Sequence, residues 1–232
     1  GYAQGAGRIA LVIDDVGMDG PHSAQLLEVV PPEVTLAFLV EGQATPELAA
    51  KAAAAGHSLI LHLPMEPQGA NAPPLGLYGI TVGMDSPTLV AQVAKNLAQL
   101  PNVEGVNNHM GSRFTKWEAG MQVVLAELAG RGLYFLDSRT AAPTATQAAA
   151  EGLNIGLATR DVFLDHEPNE AAVRTQLQRA VKLAQARQAK GDSRPVVVIG
   201  HPLPATLAVL QADLPLLQAA GIELVRLRAA VR

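Results

Sequence analysis

The chain has 232 residues, nearly half of them apolar, only 3% aromatic, with a formal net charge of -4 at pH 7 and no cysteine. That length and apolar content support a buried core and exclude a disordered or low-complexity chain. The acidic balance leaves no electrostatic footprint for nucleic acid or an anionic membrane, and the missing thiols exclude thiol catalysis, thiolate-ligated zinc and disulfides.

The opening "GYAQGAG" (1–7) reads as a linker, followed by a single domain over 8–232. No stretch reaches the roughly 18 to 20 apolar residues of a membrane span. The first strand is expected in "RIALVID" (8–14), and "IDDVG" places Asp14 and Asp15 at its end. Further strands are expected in "VTLAFLV" (34–40), "HSLILHL" (57–63), "VEGVNN" (103–108), "LYFLD" (133–137), "NIGLA" (154–158), "VVVIG" (196–200) and "IELVRL" (222–227). Several are apolar throughout, as strands covered on both faces are.

Helices alternate with them. "TPELAAKAAAAG" offers Thr45 as N-cap, Pro46 at the first helical position and Gly56 beyond the end, and "SPTLVAQVAKNLAQLP" repeats the device with Ser86 and Pro87. Capping boxes are expected at Thr115 with Glu118 and at Thr144 with Gln147. "NEAAVRTQLQRAVKLAQARQAKG" carries Val173, Leu177, Ala180, Val181 and Ala184 on one face, and "PATLAVLQADLPLLQAAG" reads as two short helices, the second capped by Asp213. Residues 64–87, rich in Pro and Gly, read as a loop that shapes a cleft. Alternating β and α units with short connections imply a parallel α/β architecture with right-handed crossovers. Periodicity does not say whether its sheet closes.

In such folds sites gather at the carboxyl ends of strands. The unusual polar residues fall there: Asp14 and Asp15, then His62 and Glu66 in "HLPMEP", Asn107, Asn108, His109 and Arg113 in "NNHMGSRF", Asp137 and Arg139 in "FLDSRT", Arg160 and Asp161 in "TRDVFLD", and His201 in "IGHPLP". Histidines and carboxylates without cysteine suit a divalent ion with N/O ligands, zinc first, with manganese, nickel or cobalt as alternatives. Such an ion brings water's pKa down to around 7, an adjacent Asp takes its proton, and a His on the opposite wall returns one to the leaving group. There is no G-x-S-x-G elbow, P-loop or G-x-G-x-x-G turn. Glycoside hydrolysis by Asp14 or Asp15 with Asp137 or Glu66 stays open but leaves the histidines unexplained. Asp137, Arg139, Arg160 and Asp161 are also expected to form buried ion pairs near the site, and His57 to be structural.

"IDDVG" resembles the first motif of the polysaccharide deacetylase (NodB-homology, carbohydrate esterase) superfamily, "AGHSLILHLPMEP" the second, "SRF" the third and "VVVIGHP" the last. More closely, "HLPMEP", "NNHMGSRFT", "FLDSRT" and "IGHPLP" together, in order over residues 9–204, resemble the divergent polysaccharide deacetylases of bacterial envelopes. The resemblance implies a distorted (β/α) barrel with about seven parallel strands. It implies Asp14 as general base, Asp15 and His62 as metal ligands, and His201 as catalytic acid. The superfamily's second motif has another His where Glu66 stands, so either Glu66 ligates or His109 completes the set. His109 is favoured because imidazole retains the usual ligands. Glu66, Asn108, Asp137, Arg139, Arg160 and Asp161 then line or support the site, and Arg113 is expected to hold Asp14 ionised. The implied activity is deacetylation of a polysaccharide or oligosaccharide in a periplasmic or exported setting. The alternative is a catalytically silent relative that binds glycan or an envelope partner through the same cleft.

Overall fold

The computed structural model describes all 232 residues. The chain runs β1 (Gly7–Val16), α1 (Gly20–Val29), β2 (Thr35–Phe38), α2 (Thr45–Ala54), β3 (Leu59–Met65), α3 (Ser86–Gln99), β4 (Gly105–Met110), α4 (Glu118–Gly130) and β5 (Tyr134–Asp137). It continues with α5 (Thr146–Ala149), β6 (Leu157–Thr159), β7 (Val162–Phe163), α6 (Glu170–Ala189), β8 (Val196–Gly200), α7 (Pro204–Ala219) and β9 (Ile222–Leu224). Strands pair in the order β6-β5-β4-β3-β2-β1-β8-β7, with β9 added at the start of β1. Every pairing is parallel.

The two ends of that order, β6 and β7, are separated by only Arg160 and Asp161, so the sheet curls until its edges meet at one turn of chain. This is the expected distorted parallel barrel, with eight strands around it rather than about seven. Alternation along β1 shows the two layers. Ile9, Leu11 and Ile13 join the large apolar cluster that includes the helices, whereas Ala10 and Val12 join a small one. The small cluster adds Ala37, Ile60, Leu136, Ala158, Val197 and Ile199 from the strands and is closed below by Val225 and Leu227. It is the barrel lumen, and small side chains keep it narrow.

Several local expectations are corrected. The first six residues form no regular element but are docked: the Tyr2 hydroxyl donates to Asp213, and Gly5 N–H donates to the Ala220 carbonyl. Helix α3 is capped by Asp85, whose carboxylate accepts from Thr88 N–H, one residue before the expected Ser86. Thr45 does not cap α2; its hydroxyl donates to the Leu39 carbonyl at 2.6 Å. Thr115 and Thr144 likewise form no capping boxes, bonding instead to Gly111 O and the Asp137 carboxylate. α7 is one helix through Pro215, and Asp213 pairs with Arg174 at 2.9 Å instead of starting a second helix. Helix α1 and the two-residue strand β7 had no expected counterpart.

Candidate metal centre and catalytic cleft

The lumen alternation carries directly to the site. Two residues beyond Val12, Ile60 and Ile199 on the same faces stand Asp14, His62 and His201, at the carboxyl rim. On β4 the same face holds Gly105, Asn107 and His109; a Cβ on Gly105 would strike the Tyr134 ring at 2.4 Å, so only glycine fits beneath the site. Register sets β8 beside β1 through Ile13 and Gly200, and pairs His62 with Asn107.

Asp15 should face outward, since Asp14 faces in. The β1–β2 register shifts between Ile13 and Val16, and Asp15 has φ +57°, a left-handed conformation that Asp tolerates better than most residues. The bulge turns Asp15 inward as well, so both adjacent carboxylates reach one cleft. Met110 and Arg139, at the ends of β4 and β5, share this conformation, which places backbone strain around the rim.

Asp15 Oδ1 lies 3.1 Å from His62 Nε2 and 3.2 Å from His109 Nδ1, and the two nitrogens are 3.1 Å apart. These are the residues whose ligand atoms converge as a metal set requires. Asp15 Oδ1 is buried yet has no hydrogen-bond partner, despite two nitrogens within reach. A near-tetrahedral shell with bonds of about 2.0–2.1 Å holds its ligand atoms roughly 3.3 Å apart, so the triangle and its orphaned oxygen fit a shared divalent ion. His62 Nδ1–H donates to Asn107 Oδ1 at 2.7 Å, leaving Nε2 as a lone pair toward the centre. Asn107 Nδ2 in turn donates to Asp14 Oδ1 at 2.8 Å, so one amide fixes both a ligand and the neighbouring carboxylate.

His201 stands across the cleft, its Nε2 3.9 Å from Asp15 Oδ2. Its Nδ1–H donates to Asp165 Oδ1 at 2.8 Å, and its backbone N–H and the Thr206 hydroxyl donate to Asp165 Oδ2 at 2.6 and 2.7 Å. Desolvation alone would depress the imidazole pKa, but the Asp165 bond and the charges of Asp14, Asp165 and Asp15 outweigh it and push it up to about 9. Burial raises the Asp14 carboxyl above its ordinary value, with His62, His201 and Asn107 opposing. Burial acts upward on Asp15 too, yet the adjacent imidazoles of His109, His62 and His201 hold it below the usual carboxylate range. For His62, desolvation is outweighed by Asp14 and Asp15, which raise it.

The remaining expected residues fall elsewhere. Glu66 does not join the triangle: Oε1 accepts from Val82 N–H at 2.8 Å and Oε2 from Arg113 at 3.0 Å. Arg113 therefore pairs with Glu66 and not with Asp14, whose support comes from Asn107. Asn108, on the opposite face of β4, accepts from Ser138 N–H and donates to the Met110 carbonyl, and so holds the rim loops. Of Asp137, Arg139, Arg160 and Asp161, for which ion pairs were expected, only Asp161 forms one. Asp137 accepts from Arg139 N–H and the Thr144 hydroxyl, Arg160 donates to two carbonyls, and Asp161 pairs with Arg187. His57 bonds the Val34 carbonyl, away from the cleft.

Two site residues carried no assigned role in the sequence. Asn107 is singled out by parity with His109, a signal present in the alternation itself. Asp165 follows a strand of two residues, too short for its pattern to be read. Beside His109, Met18, Leu39, Val40, Pro64, Leu75 and Met110 line an apolar recess of about 90 Å³.

The model of the divergent polysaccharide deacetylase family matches residues 11–231. The chain is 37% identical over 206 residues to the uncharacterized protein YibQ of Escherichia coli K12, covering 89% of this chain and 62% of that protein, so it spans about three-fifths of that relative's length. The uncharacterized protein ATU2773 of Agrobacterium tumefaciens superposes with a TM-score of 0.89 at 25% identity, over 99% of this chain and 90% of that one. The catalytic domain of peptidoglycan N-acetylglucosamine deacetylase from Eubacterium rectale gives 0.59 at 14% identity, over 97% and 92%, a likeness of fold alone. Strand-end motifs, barrel and family match agree: the chain belongs to the divergent polysaccharide deacetylase family.

Proposed function

We propose that the protein is a metal-dependent hydrolase that removes an acyl group, acetyl foremost, from an amino or hydroxyl group of an envelope glycan. The observation that carries this reading is the 3.1–3.2 Å triangle of Asp15, His62 and His109 with an unpartnered buried oxygen, faced by the His201–Asp165 pair. Those three residues would hold the ion. What a divalent ion supplies there when bound is electrophilic activation of an acyl carbonyl and of water.

The chain's own groups do the rest. Asp14, held by Asn107 and raised by burial, is a carboxylate fitted to take a proton from attacking water. His201, kept protonated through neutral pH, gives a proton from Nε2 to the departing amine or alkoxide. Asp165 fixes its tautomer and orientation as the carboxylate of a hydrolytic triad does. The recess beside His109 gives the acyl chain an apolar seat that excludes water.

The test is elemental mass spectrometry on protein purified without chelator or metal-affinity steps, beside acetate release from N-acetylated oligosaccharides. The parent is expected to carry near-stoichiometric metal, and Asp15→Asn and His62→Ala to lose both metal and activity. A parent that takes up no zinc, manganese, nickel or cobalt overturns the reading. Metal without turnover on any acylated glycan, with oligosaccharide binding retained, would mark a silent glycan-binding relative.

A further inference from the structure

A separate cavity of about 460 Å³ lies between β7 and α6, and its lining includes Arg160, Asp161, Phe163, His166, Glu167 and Arg179. Phe163 lines it and packs near His201. Its ring centroid lies 5.6 Å from that of His201, and the Arg160 guanidinium sits 5.4 Å from it.

Arg160 is built in. Nε donates to the Ser138 carbonyl at 2.7 Å and Nη2 to the Arg139 carbonyl at 3.2 Å, which fixes the guanidinium plane and leaves Nη1 without a partner in the protein. Arg179 reaches only the Gln176 amide, and the Arg139 side chain pairs with nothing. Burial first, then Arg139 and Arg179, work against the charge of Arg160.

Asp137 and Asp161 favour the charge of Arg160, but neither forms an ion pair with it. Asp161 is engaged by Arg187 at 2.7 Å, and Asp137 by the Arg139 N–H and Thr144. Asp161 and Glu167, the latter exposed on the lip, are the carboxylates of the lining. In a chain of net charge -4, two guanidiniums that form no ion pair, Arg160 and Arg179, line one cavity.

We propose that this cavity is a specificity subsite for an anionic substituent, a carboxylate or phosphate, on the sugar next to the one whose acyl group is removed. The inference rests on the reading of the cleft as a glycan site. Arg160 supplies an oriented fork, Arg179 a second charge, and Phe163 an apolar wall between the anion and His201.

The experiment is calorimetric binding of metal-loaded protein to a neutral N-acetylglucosamine tetramer, to the tetramer with lactyl carboxylates on alternate sugars, and to the 6-phosphorylated tetramer. Acetate release is followed in parallel. At least one anionic ligand should bind about tenfold tighter than the neutral one, with the preference shrinking as salt rises. Arg160→Gln and Arg179→Gln should each erase most of that preference while neutral binding and metal content hold. Arg179, which holds no backbone, keeps the test valid if Arg160→Gln misfolds. Equal affinity for neutral and anionic tetramers, or a preference that survives Arg179→Gln in folded protein, overturns the subsite even if acetate is released. Anion preference lost in the variants supports it even if no acetate appears, so failure of the subsite and failure of the deacetylase reading are told apart.

Discussion

At the scale of single residues, the site depends on two partners that touch neither water nor acyl group. The Asp165 bond, with the charges of Asp14, Asp165 and Asp15, raises His201 to about 9, so its proton is available at neutral pH and is lost as pH rises through that value. The ion pair's contribution to stability is thus fully present below the ordinary histidine pKa of about 6.5 and gone above about 9. Asp165→Asn is expected to move the alkaline limb of kcat/KM from about 9 toward about 6.5 and to lower kcat by about a hundredfold. A pH–rate profile with its alkaline limb unmoved would sink the assignment of His201 as acid. Asn107→Ala removes the acceptor for His62 Nδ1–H and the donor to Asp14, and should weaken metal binding by about 10- to 100-fold in chelator competition. Unchanged affinity would show that Asn107 does not orient the ligand. The residues proposed as catalytic and as ligands were legible because strand ends and motif order mark them. Asn107 was visible only through alternation, and the inward turn of Asp15 was not, because it depends on a bulge that pairing with β2 creates.

At the scale of elements, Glu66 shows what a changed motif residue does instead. Its backbone pairs with Ile80, Arg113 and Phe114, and its carboxylate binds Val82 N–H and Arg113, so one residue ties the 66–84 loop to the 111–117 turn. Arg113 is 56% exposed, and the ion pair itself is worth about 0–1 kcal/mol. The bond to Val82 N–H adds about 1 kcal/mol. Restoring the superfamily pattern by Glu66→His should leave metal stoichiometry unchanged, since this side chain is aimed away from the triangle. It should also speed hydrogen exchange at 80–84 and 111–114. Tighter metal binding would show that Glu66 occupies a ligand position after all. Elements were legible where periodicity is strong, as in α6, whose five expected apolar residues are the buried ones. They were not where burial is slight: α1 buries only Ser23 and Leu26. Helix α7 continues through Pro215 because the freed Gln211 carbonyl belongs to an exposed residue, while Leu207, Leu210, Leu214 and Leu217 keep one face buried.

At the scale of the whole molecule, the chemistry sits at one end of the barrel and the closure at the other. Arg232 and Leu157 exchange backbone hydrogen bonds of 2.8 and 2.9 Å, which stitches the end of the chain to β6, and Val225 and Leu227 fill the lumen floor. That closure could not be read from the sequence, where "IELVRL" looks like one more strand and only its first three residues become one. Leu227 is fully buried among the small lumen residues, which cannot collapse far to fill a void because strand pairing holds them. Leu227→Ala should therefore cost about 2–5 kcal/mol in denaturant unfolding. The rim is positioned by β1, β3, β4 and β8 and by its own hydrogen bonds, none of which involves Leu227. Metal content and kcat per folded molecule should then stay at the parent values below the shifted midpoint. A variant that unfolds at the parent midpoint would show the floor to be loosely packed. One that stays folded but loses metal would show that the lumen transmits packing to the rim, and stability and chemistry would not be separable along the barrel axis as the layered alternation requires.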